Sequence, residues 1–324
     1  MRAIVIKEYG PVEGLTYQDL PEPEPQHGHV VIQVKAFGIN HAEMHMRRGE
    51  WAESAPVSGI ECVGIVKSCP GGEFKPGQKV AALMGGLGRT VNGSYAEYTR
   101  ARVENVVAIE SALPWEDLAA LPESYATAWT CLFRNLDIRR GQTLLIRGAT
   151  SSFGQAAVNM AVNAGAHVIA TTRNKERFAM LEELGVMRVE QEGPSLSARL
   201  KEAGQVDAVL DLVGNSVLFD SLAIVRRGGR VCLAGFLGGL APLPDFNPLL
   251  QMPSGVHFSF FGSFVFGNPQ FPLSDVPLQD IARDVEQGRY KAKPSRVFRF
   301  NEIHEAHRVM ETNQANGKMV VVVD

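Results

Sequence analysis

The stretch that decides the fold is TLLIRGATSSFGQ, residues 143–155. The mostly apolar run Thr143–Arg147 predicts a buried strand, and Gln155–Ala164, rich in Ala and Val, predicts a helix. Gly148–Gly154 forms the loop between them. In a doubly wound sheet the first such turn holds the pyrophosphate of a dinucleotide, because glycines let the backbone come close and the helix N-terminus offers free N–H groups. The stretch therefore predicts a nucleotide-binding loop.

This loop departs from the usual glycine pattern at Ser152, where a middle glycine is common. One interpretation is a serine-rich N-cap on a helix that binds nothing. The other uses the hydroxyls of Ser151 and Ser152 as added phosphate donors, with Phe153 and Gly154 beside the cofactor. The position of the loop between a strand and a helix favours the second interpretation.

Strands and helices alternate after this loop, which indicates a parallel sheet covered on both faces. The predicted strands are His167–Thr172, Val186–Val189, Asp207–Val213, Arg230–Phe236 and Val256–Phe266, and the predicted helices are Glu176–Leu184, Ser195–Ala203 and Ser216–Val225. Before about residue 120 the chain consists of short apolar runs separated by Gly, Pro and Asn, which is typical of a mostly antiparallel β domain. The tail contains a predicted helix, Asn301–Asn313, and a closing strand, Met319–Val323. The predicted fold class is α/β.

Length and charge limit the function classes. A chain of 324 residues is long enough for two domains with separate cores. The net charge of −3, with no long run of one sign, predicts no nucleic-acid or anionic-membrane partner. No apolar run approaches the length of a membrane span, and the N-terminal MRAIVIKEYG lacks the apolar core of a signal peptide. With four scattered cysteines expected to be reduced, we predict a cytoplasmic protein.

The residues that follow the second strand of the predicted sheet decide the cofactor. An NAD site has an acid there for the ribose hydroxyls, whereas an NADP site has a cation for the 2′-phosphate. This chain has TTRNKER at residues 171–177, so Thr172 is followed by Arg173, Lys175 and Arg177. The alternative for Lys175 and Arg177 is a solvated helix face. The pattern favours NADPH.

Motifs along nearly the whole chain resemble those of the medium-chain dehydrogenase/reductase superfamily, specifically its zinc-free quinone-oxidoreductase-like branch. No single motif is decisive, but their order and spacing together are hard to obtain by chance. Besides the nucleotide loop, they are Gly38–Asn40 (GIN), Gly59–Val66 (GIECVGIV), Lys75–Val80 (KPGQKV), Gly93–Tyr98 (GSYAEY), Ala126–Ala128 (ATA), Val206–Asp207 (VD), Asp211–Gly214 (DLVG), Gly228–Val231 (GGRV) and Gly317–Lys318 (GK).

This resemblance implies a domain organisation. A GroES-like, mostly antiparallel β domain would cover residues 1–121 and 267–324, and a Rossmann domain with a doubly wound parallel sheet would cover residues 122–266. The active site would lie in the cleft between the domains. The resemblance also implies a homodimer paired through Val256–Phe266, since an exposed apolar edge strand would otherwise invite aggregation.

The resemblance further implies site residues. Asn40 and Thr127 would approach the nicotinamide, and Lys318 matches a tail position near the cofactor. The walls of the nicotinamide site would come from Ala234–Phe236 and Gly262–Phe264. The cofactor contacts thus predicted, beyond the loop and the 171–177 segment, are Asn40, Thr127, Val213, Gly235, Phe236, Ser263, Phe264 and Lys318.

The zinc ligands of the metal-dependent branches have no counterparts here. Those branches bind their catalytic zinc with a Cys and a His. The corresponding positions here are Asn40 and Ile60, so we predict no metal. His41 and His45 lie four residues apart on a predicted helix, a spacing that could bridge a metal, but no third ligand is in view. A zinc-dependent alcohol dehydrogenase that uses this pair is therefore kept as an alternative.

The chain also departs from the reductase branches at two positions. Enoyl reductases carry a Tyr proton donor near Trp51, and an indole N–H is a poor acid, so protonation would need water or His45. Quinone reductases often place a Tyr over the adenosine phosphate, where this chain has Glu192. The predicted catalytic residues are accordingly Asn40, His45 and Trp51.

The predicted function is a metal-free, NADPH-dependent oxidoreductase. Its acceptor would be a small electrophilic molecule, either a quinone or an activated C=C bond in an enone or enal. A second hypothesis is an NADPH-binding protein with sensing, structural or RNA-binding duties and little turnover.

Overall fold

The parallel sheet predicted around Thr143–Arg147 is present in the computed structural model, which describes residues 1–324. The chain divides into two compact units. The first unit comprises Met1–Ala126 and Ser263–Asp324, and the second comprises Thr127–Gly262. These boundaries lie a few residues from the expected ones at 121/122 and 266/267.

Fifteen strands and ten α-helices form the two units. The strands are β1 (Arg2–Ile6), β2 (Leu15–Asp19), β3 (His29–Ile39), β4 (Glu61–Ser68), β5 (Lys79–Leu83), β6 (Tyr98–Arg102), β7 (Val106–Ala108), β8 (Thr143–Arg147), β9 (His167–Thr172), β10 (Arg188–Gln191), β11 (Val206–Asp211), β12 (Val225–Leu233), β13 (His257–Phe260), β14 (Arg296–Arg299) and β15 (Met319–Val322). The helices are α1 (His41–Arg48), α2 (Trp115–Ala119), α3 (Pro122–Thr130), α4 (Ser152–Asn163), α5 (Phe178–Glu183), α6 (Leu196–Arg199), α7 (Leu218–Ile224), α8 (Pro248–Gln251), α9 (Leu278–Glu286) and α10 (Ile303–Glu311). A π-helical turn, Cys131–Asn135, follows α3.

The second unit is built on a six-stranded sheet in which all neighbouring strands are parallel. The strand order is β10-β9-β8-β11-β12-β13, which corresponds to the order 3-2-1-4-5-6 of a doubly wound dinucleotide-binding sheet. Leu145, Ile169 and Val209 lie in its buried core together with Leu222 of α7. The chain reverses its winding direction between β8 and β11, the place where such folds bind ligands.

The first unit contains a seven-stranded, mostly antiparallel sheet in which β14 and β15 form the parallel pair. The closing strand β15 pairs antiparallel with β3, and Met319 lies opposite Ile39. The tail of the chain therefore adds β14 and β15 to the sheet of the N-terminal β strands. The same register brings Lys318 next to Asn40.

Several predicted elements are shorter than expected. The predicted helix Ser195–Ala203 is only the single turn of α6, because residues 201–204 form turns and Ser195 has a left-handed backbone with φ of 54°. The predicted strand Val256–Phe266 pairs only over β13, because Ser263–Val265 turn into a 3-10 helix. The predicted strands around β10 and β12 are displaced by a few residues. Strands β8 and β9 have the predicted bounds.

None of the helices is long and apolar enough to cross a membrane.

Candidate functional site

The turn between β8 and α4 has the backbone that a phosphate-binding loop needs. Gly148 has a positive φ of 77°, and a Cβ atom there would lie 2.8 Å from Cδ1 of Leu237. A Cβ atom at Gly154 would lie 2.6 Å from Cα of Ala149, so only glycine lets α4 begin this close to the loop. These two glycines therefore let the loop pack closely against Leu237 and let α4 begin directly against Ala149.

The first turn of α4 supplies the free donors. Ser151 is the N-cap, and its hydroxyl accepts from Gly154 N at 3.0 Å and donates to Gly148 O at 2.9 Å. The Ser151 hydroxyl, predicted as a phosphate donor, is thus already engaged within the loop. The hydroxyl of Ser152 and the backbone N–H groups of Ser152 and Phe153 make no hydrogen bond within the protein. These are the groups that fit an anion at a helix N-terminus.

The segment after β9 carries cations. No acidic side chain stands at its start to accept hydrogen bonds from the ribose hydroxyls. Thr172 is buried, and its hydroxyl accepts from Asn174 N at 3.3 Å. Arg173 and Lys175 are exposed and form no ion pair, while Arg177 is half-buried. A 2′-phosphate would find two unpaired charges here.

The other predicted cofactor residues of the second unit lie at the same edge of the sheet, because parallel strands end together. Val213 follows β11, and its N–H donates to Asp211 Oδ1 at 2.9 Å. Gly235 and Phe236 follow β12, and a Cβ atom at Gly235 would lie 2.8 Å from the carbonyl oxygen of Leu212. Thr127 is also buried in this unit, on α3.

In the first unit, Asn40 is the N-cap of α1. Its backbone N–H donates to Glu43 Oε2 at 2.7 Å, which forms a capping box. Its side chain is held at both ends, because Oδ1 accepts from Lys318 Nζ at 2.6 Å and Nδ2 donates to Glu61 Oε1 at 3.0 Å. The Asn40 amide therefore has a fixed orientation.

Two buried carboxylates that the sequence did not single out surround Asn40. Glu61 forms an ion pair with Lys318, and its Oε2 accepts from Glu123 N at 2.8 Å. Glu43 accepts from Ile60 N at 3.1 Å, and burial raises the pKa of Glu43 to about 7. The signal that could have found Glu61 is its place in the Gly59–Val66 motif, where a buried strand begins with an acid.

His45 and Trp51 lie together near the end of α1. Their rings stack with centroids 5.6 Å apart and an angle of 13° between planes, and His45 Nδ1 pairs with the carboxylate of Glu50. The arrangement resembles a histidine–carboxylate dyad, in which the carboxylate orients the ring for proton transfer. Glu50 was not predicted from the sequence.

Ser263 and Phe264 belong to the first unit. Ser263 Oγ donates to Glu123 Oε1 at 3.1 Å, and the ring of Phe264 is exposed, with the guanidinium of Arg89 at 5.4 Å from its centroid.

No group of three or more His, Cys, Asp or Glu side chains could hold a metal ion, so the pair His41 and His45 has no third ligand.

Comparison with known proteins identifies the family. Residues 26–111 match the alcohol dehydrogenase GroES-like domain, and residues 153–276 match the family described as zinc-binding dehydrogenase. The chain is 30% identical over 261 residues to a quinone oxidoreductase of Mus musculus, a match that covers 76% of each protein. It is 27% identical to a quinone oxidoreductase of Rattus norvegicus over 100% of this chain and 98% of the relative.

A solved structure titled as an NAD-dependent alcohol dehydrogenase superposes with a TM-score of 0.84 at 28% identity, covering all of both chains. The chain belongs to the medium-chain dehydrogenase/reductase superfamily, and within it to the quinone-oxidoreductase-like branch. It is an oxidoreductase, and the fold is the expected pair of a GroES-like and a Rossmann-type domain. A nicotinamide cofactor fits the loop that follows β8.

Proposed function

We propose that this protein is an NADPH-dependent reductase that transfers a hydride, without a metal, to a quinone or to an activated C=C bond. The observation that carries the proposal is the pair of exposed, unpaired cations Arg173 and Lys175 at the end of β9, next to the free N–H groups of the first turn of α4. Relatives named quinone oxidoreductase support the acceptor class. Asn40 and Ile60, at the positions of the zinc ligands in metal-dependent branches, support the absence of a metal.

The residues divide the work of binding. The N–H groups of Ser152 and Phe153 and the Ser152 hydroxyl would hold the pyrophosphate, and Arg173 and Lys175 would hold the 2′-phosphate. When bound, NADPH supplies a hydride from its nicotinamide ring, and reduction of a quinone or of an enone also consumes one proton. The Asn40 amide would orient the nicotinamide end of the cofactor. Lys318 and Glu61 prevent this amide from turning.

We assign the role of proton donor in this reduction to His45. Glu50 engages Nδ1, which leaves Nε2 as the nitrogen that carries the transferred proton, and Trp51 holds the plane of the ring. A protonated imidazole would donate to the reduced acceptor and be recharged from water. Glu50 acts as a positioning residue.

Turnover with chosen acceptors tests the function. NADPH oxidation is followed with 1,4-benzoquinone and with a simple enone, beside NADH, before and after dialysis against a chelator. We expect faster turnover with NADPH and no change on chelation. Loss of activity on chelation would show a metal-dependent enzyme, and tight NADPH binding without turnover of any acceptor would favour a sensing or structural protein.

The cofactor assignment is tested with Arg173→Ala. Loss of one charge-assisted contact costs about 1.5–3 kcal/mol, so NADPH should bind at least tenfold more weakly while NADH changes little. The matched control is Lys201→Ala, an exposed cation in the turn after α6. Equal weakening of both cofactors by Arg173→Ala contradicts the assignment.

The proton donor is tested by the stereochemistry of deuteration. With an α-substituted enone in D2O, His45 should deliver deuterium to one face of the α-carbon. His45→Gln should lower the rate by about a hundredfold, a typical effect of a general acid, and give deuterium on both faces. Glu50→Gln should show a smaller loss of both rate and selectivity. Full facial selectivity in His45→Gln would mean that another group donates the proton.

A further inference from the structure

Arg147, the last residue of β8, is a completely buried arginine directly before the nucleotide loop. Its guanidinium pairs with Glu192, through Nη2 and Oε1 at 2.5 Å and through Nε and Oε2 at 3.2 Å. It also donates through Nη1 to Asp220 Oδ2 at 2.8 Å. An arginine placed this deep serves the groups that it contacts, because a buried unpaired charge is strongly unfavourable.

The surroundings of Arg147 contain more acids than bases. One guanidinium faces the carboxylates of Glu192, Asp220 and Asp211. Ser221 links two of these groups, since its hydroxyl accepts from Arg147 Nη1 at 3.1 Å and donates to Asp211 Oδ2 at 2.6 Å. Burial raises the pKa of Asp211, and the Ser221 hydroxyl and the charge of Arg147 act against that shift. Without Arg147 this cluster would place uncompensated negative charge beneath a loop that binds phosphates.

Glu192 connects the cluster to the segment that recognises the 2′-phosphate. Its backbone N–H donates to Thr172 O at 2.9 Å, so its Cα lies beside the start of that segment. Its side chain is turned inward, where Oε2 accepts from Thr171 Oγ1 at 2.5 Å as well as from Arg147. Thr171 Oγ1 in turn accepts from Gly148 N at 3.1 Å. The carboxylate is thereby tied to the nucleotide loop and withdrawn from Arg173.

We propose that Arg147 is an internal counter-ion that sets the cofactor preference, because it holds Glu192 inside and leaves the end of β9 electropositive. This inference rests on the proposed NADPH site and names a specificity residue that does not touch the cofactor. Arg147 is a positioning residue, and it acts through Glu192. The Glu192 carboxylate lies close to the proposed 2′-phosphate site, but the charge of Arg147 neutralises it.

Charge-changing variants of the full-length protein test the inference, with dissociation constants measured for NADPH, NADH, 2′,5′-ADP and 5′-AMP. Arg147→Met frees the Glu192 carboxylate, and one unpaired charge in a poorly solvated site should weaken NADPH and 2′,5′-ADP by about tenfold or more. NADH and 5′-AMP should change much less. The double variant Arg147→Met/Glu192→Gln should recover most of the NADPH preference. Arg188→Met, in which the lost ion pairs join side chains that are 27–31% exposed, is the matched control and should change no ratio.

Each outcome has a distinct meaning. A wild-type protein with no preference for NADPH over NADH would contradict the proposed function itself. A wild-type preference that survives unchanged in Arg147→Met would overturn the inference alone. If Arg147→Met does not fold, Glu192→Gln decides: NADPH binding that is unchanged or tighter supports the inference. Weaker binding of both cofactors would show that Glu192 contacts the ribose, and would overturn it.

Discussion

Lys318 and Glu61 form an ion pair that is almost completely buried, with side chains 5% and 0% exposed. Lys318→Met would leave the Glu61 carboxylate buried without its cation, which typically costs about 3–5 kcal/mol. We expect the free energy of unfolding, measured with denaturant at pH 7, to fall by about that amount. Adding Glu61→Gln to Lys318→Met should recover part of the loss.

A surface pair offers the matched control. Lys67 and Glu22 form an ion pair in which both side chains are 45% exposed, and such pairs contribute about 0–1 kcal/mol. Lys67→Met should therefore change the stability little. If Lys318→Met were equally mild, the Asn40–Lys318–Glu61 group would not be the rigid support that we assign to the active site.

His307 gives the first unit a stability that depends on pH. It lies in a closed core against Tyr95, with Nε2 3.2 Å from the phenol oxygen, and burial lowers the pKa of His307 to about 3, assisted by the charges of Arg47 and His304. The folded protein binds this proton only around a pKa of about 3, whereas the unfolded chain binds it near pH 6.5. Stability is therefore lost as the pH falls below about 6.5, by at most about 1.4 kcal/mol per pH unit.

The variant His307→Gln isolates this effect. The difference in unfolding free energy between wild type and His307→Gln should be constant above pH 7 and should shrink as the pH falls from 6.5 to 4.5. The control is His167→Gln, which changes an exposed histidine outside β13 and should give a constant difference. A constant difference for His307→Gln as well would mean that the imidazole takes up its proton in the folded state.

At the scale of elements, two residues in the turn from β8 into α4 have different proposed roles: Gly154 allows close packing, and Ser152 binds phosphate. Gly154→Ala places a methyl group 2.6 Å from the backbone of Ala149, which should move the helix start and cost about 1–3 kcal/mol of stability. Cofactor affinity should fall with it. Ser152→Ala removes a hydroxyl without a protein partner, so stability should stay the same while cofactor affinity falls. Thermal unfolding and a cofactor titration on both variants distinguish the two roles; a destabilised Ser152→Ala would contradict the assignment of this hydroxyl to phosphate.

The elements that the sequence predicted well are those decided by local chemistry. Strands β8 and β9 are continuous apolar runs that end at a glycine turn or a polar segment, so their bounds were predictable. The failure at α6 has a tertiary cause, because the carboxylate of Asp220 accepts from Leu196 N and Ser197 N and fixes that turn. No local pattern contains this contact.

The candidate site follows the same division. The loop glycines and Arg173 were predictable from their order along the chain. The group around Asn40 was predictable only in part, since Lys318 and Glu61 are 257 residues apart and meet through the pairing of β15 with β3. Gly38 shows the same limit: a Cβ atom there would lie 2.5 Å from Cε of Lys318, but the sequence alone gives no neighbour for it. The sequence shows an arginine, Arg147, at the end of an apolar strand, but it does not show which residues pair with it.

At the scale of the whole molecule, β13 is an edge strand that pairs only with β12. Phe258 and Phe260 on it are 36% and 51% exposed, and an edge with free backbone groups and exposed aromatic rings is a surface that proteins usually cover. We predict that a second copy covers it through a two-fold axis, so that the chain is a homodimer at micromolar concentration. Sedimentation or light scattering gives the mass directly.

Phe258→Lys tests whether β13 forms that interface. A two-fold interface contains each substitution twice, so two charged lysines would replace two apolar rings there, which should shift the protein towards the monomer. The matched control is Tyr9→Lys, which changes an aromatic ring that is 60% exposed in the first unit and should leave the mass unchanged. A monomeric wild type would refute the predicted dimer. A Phe258→Lys variant that stays dimeric, while Tyr9→Lys does not, would place the contact on the first unit instead of on the edge of the parallel sheet.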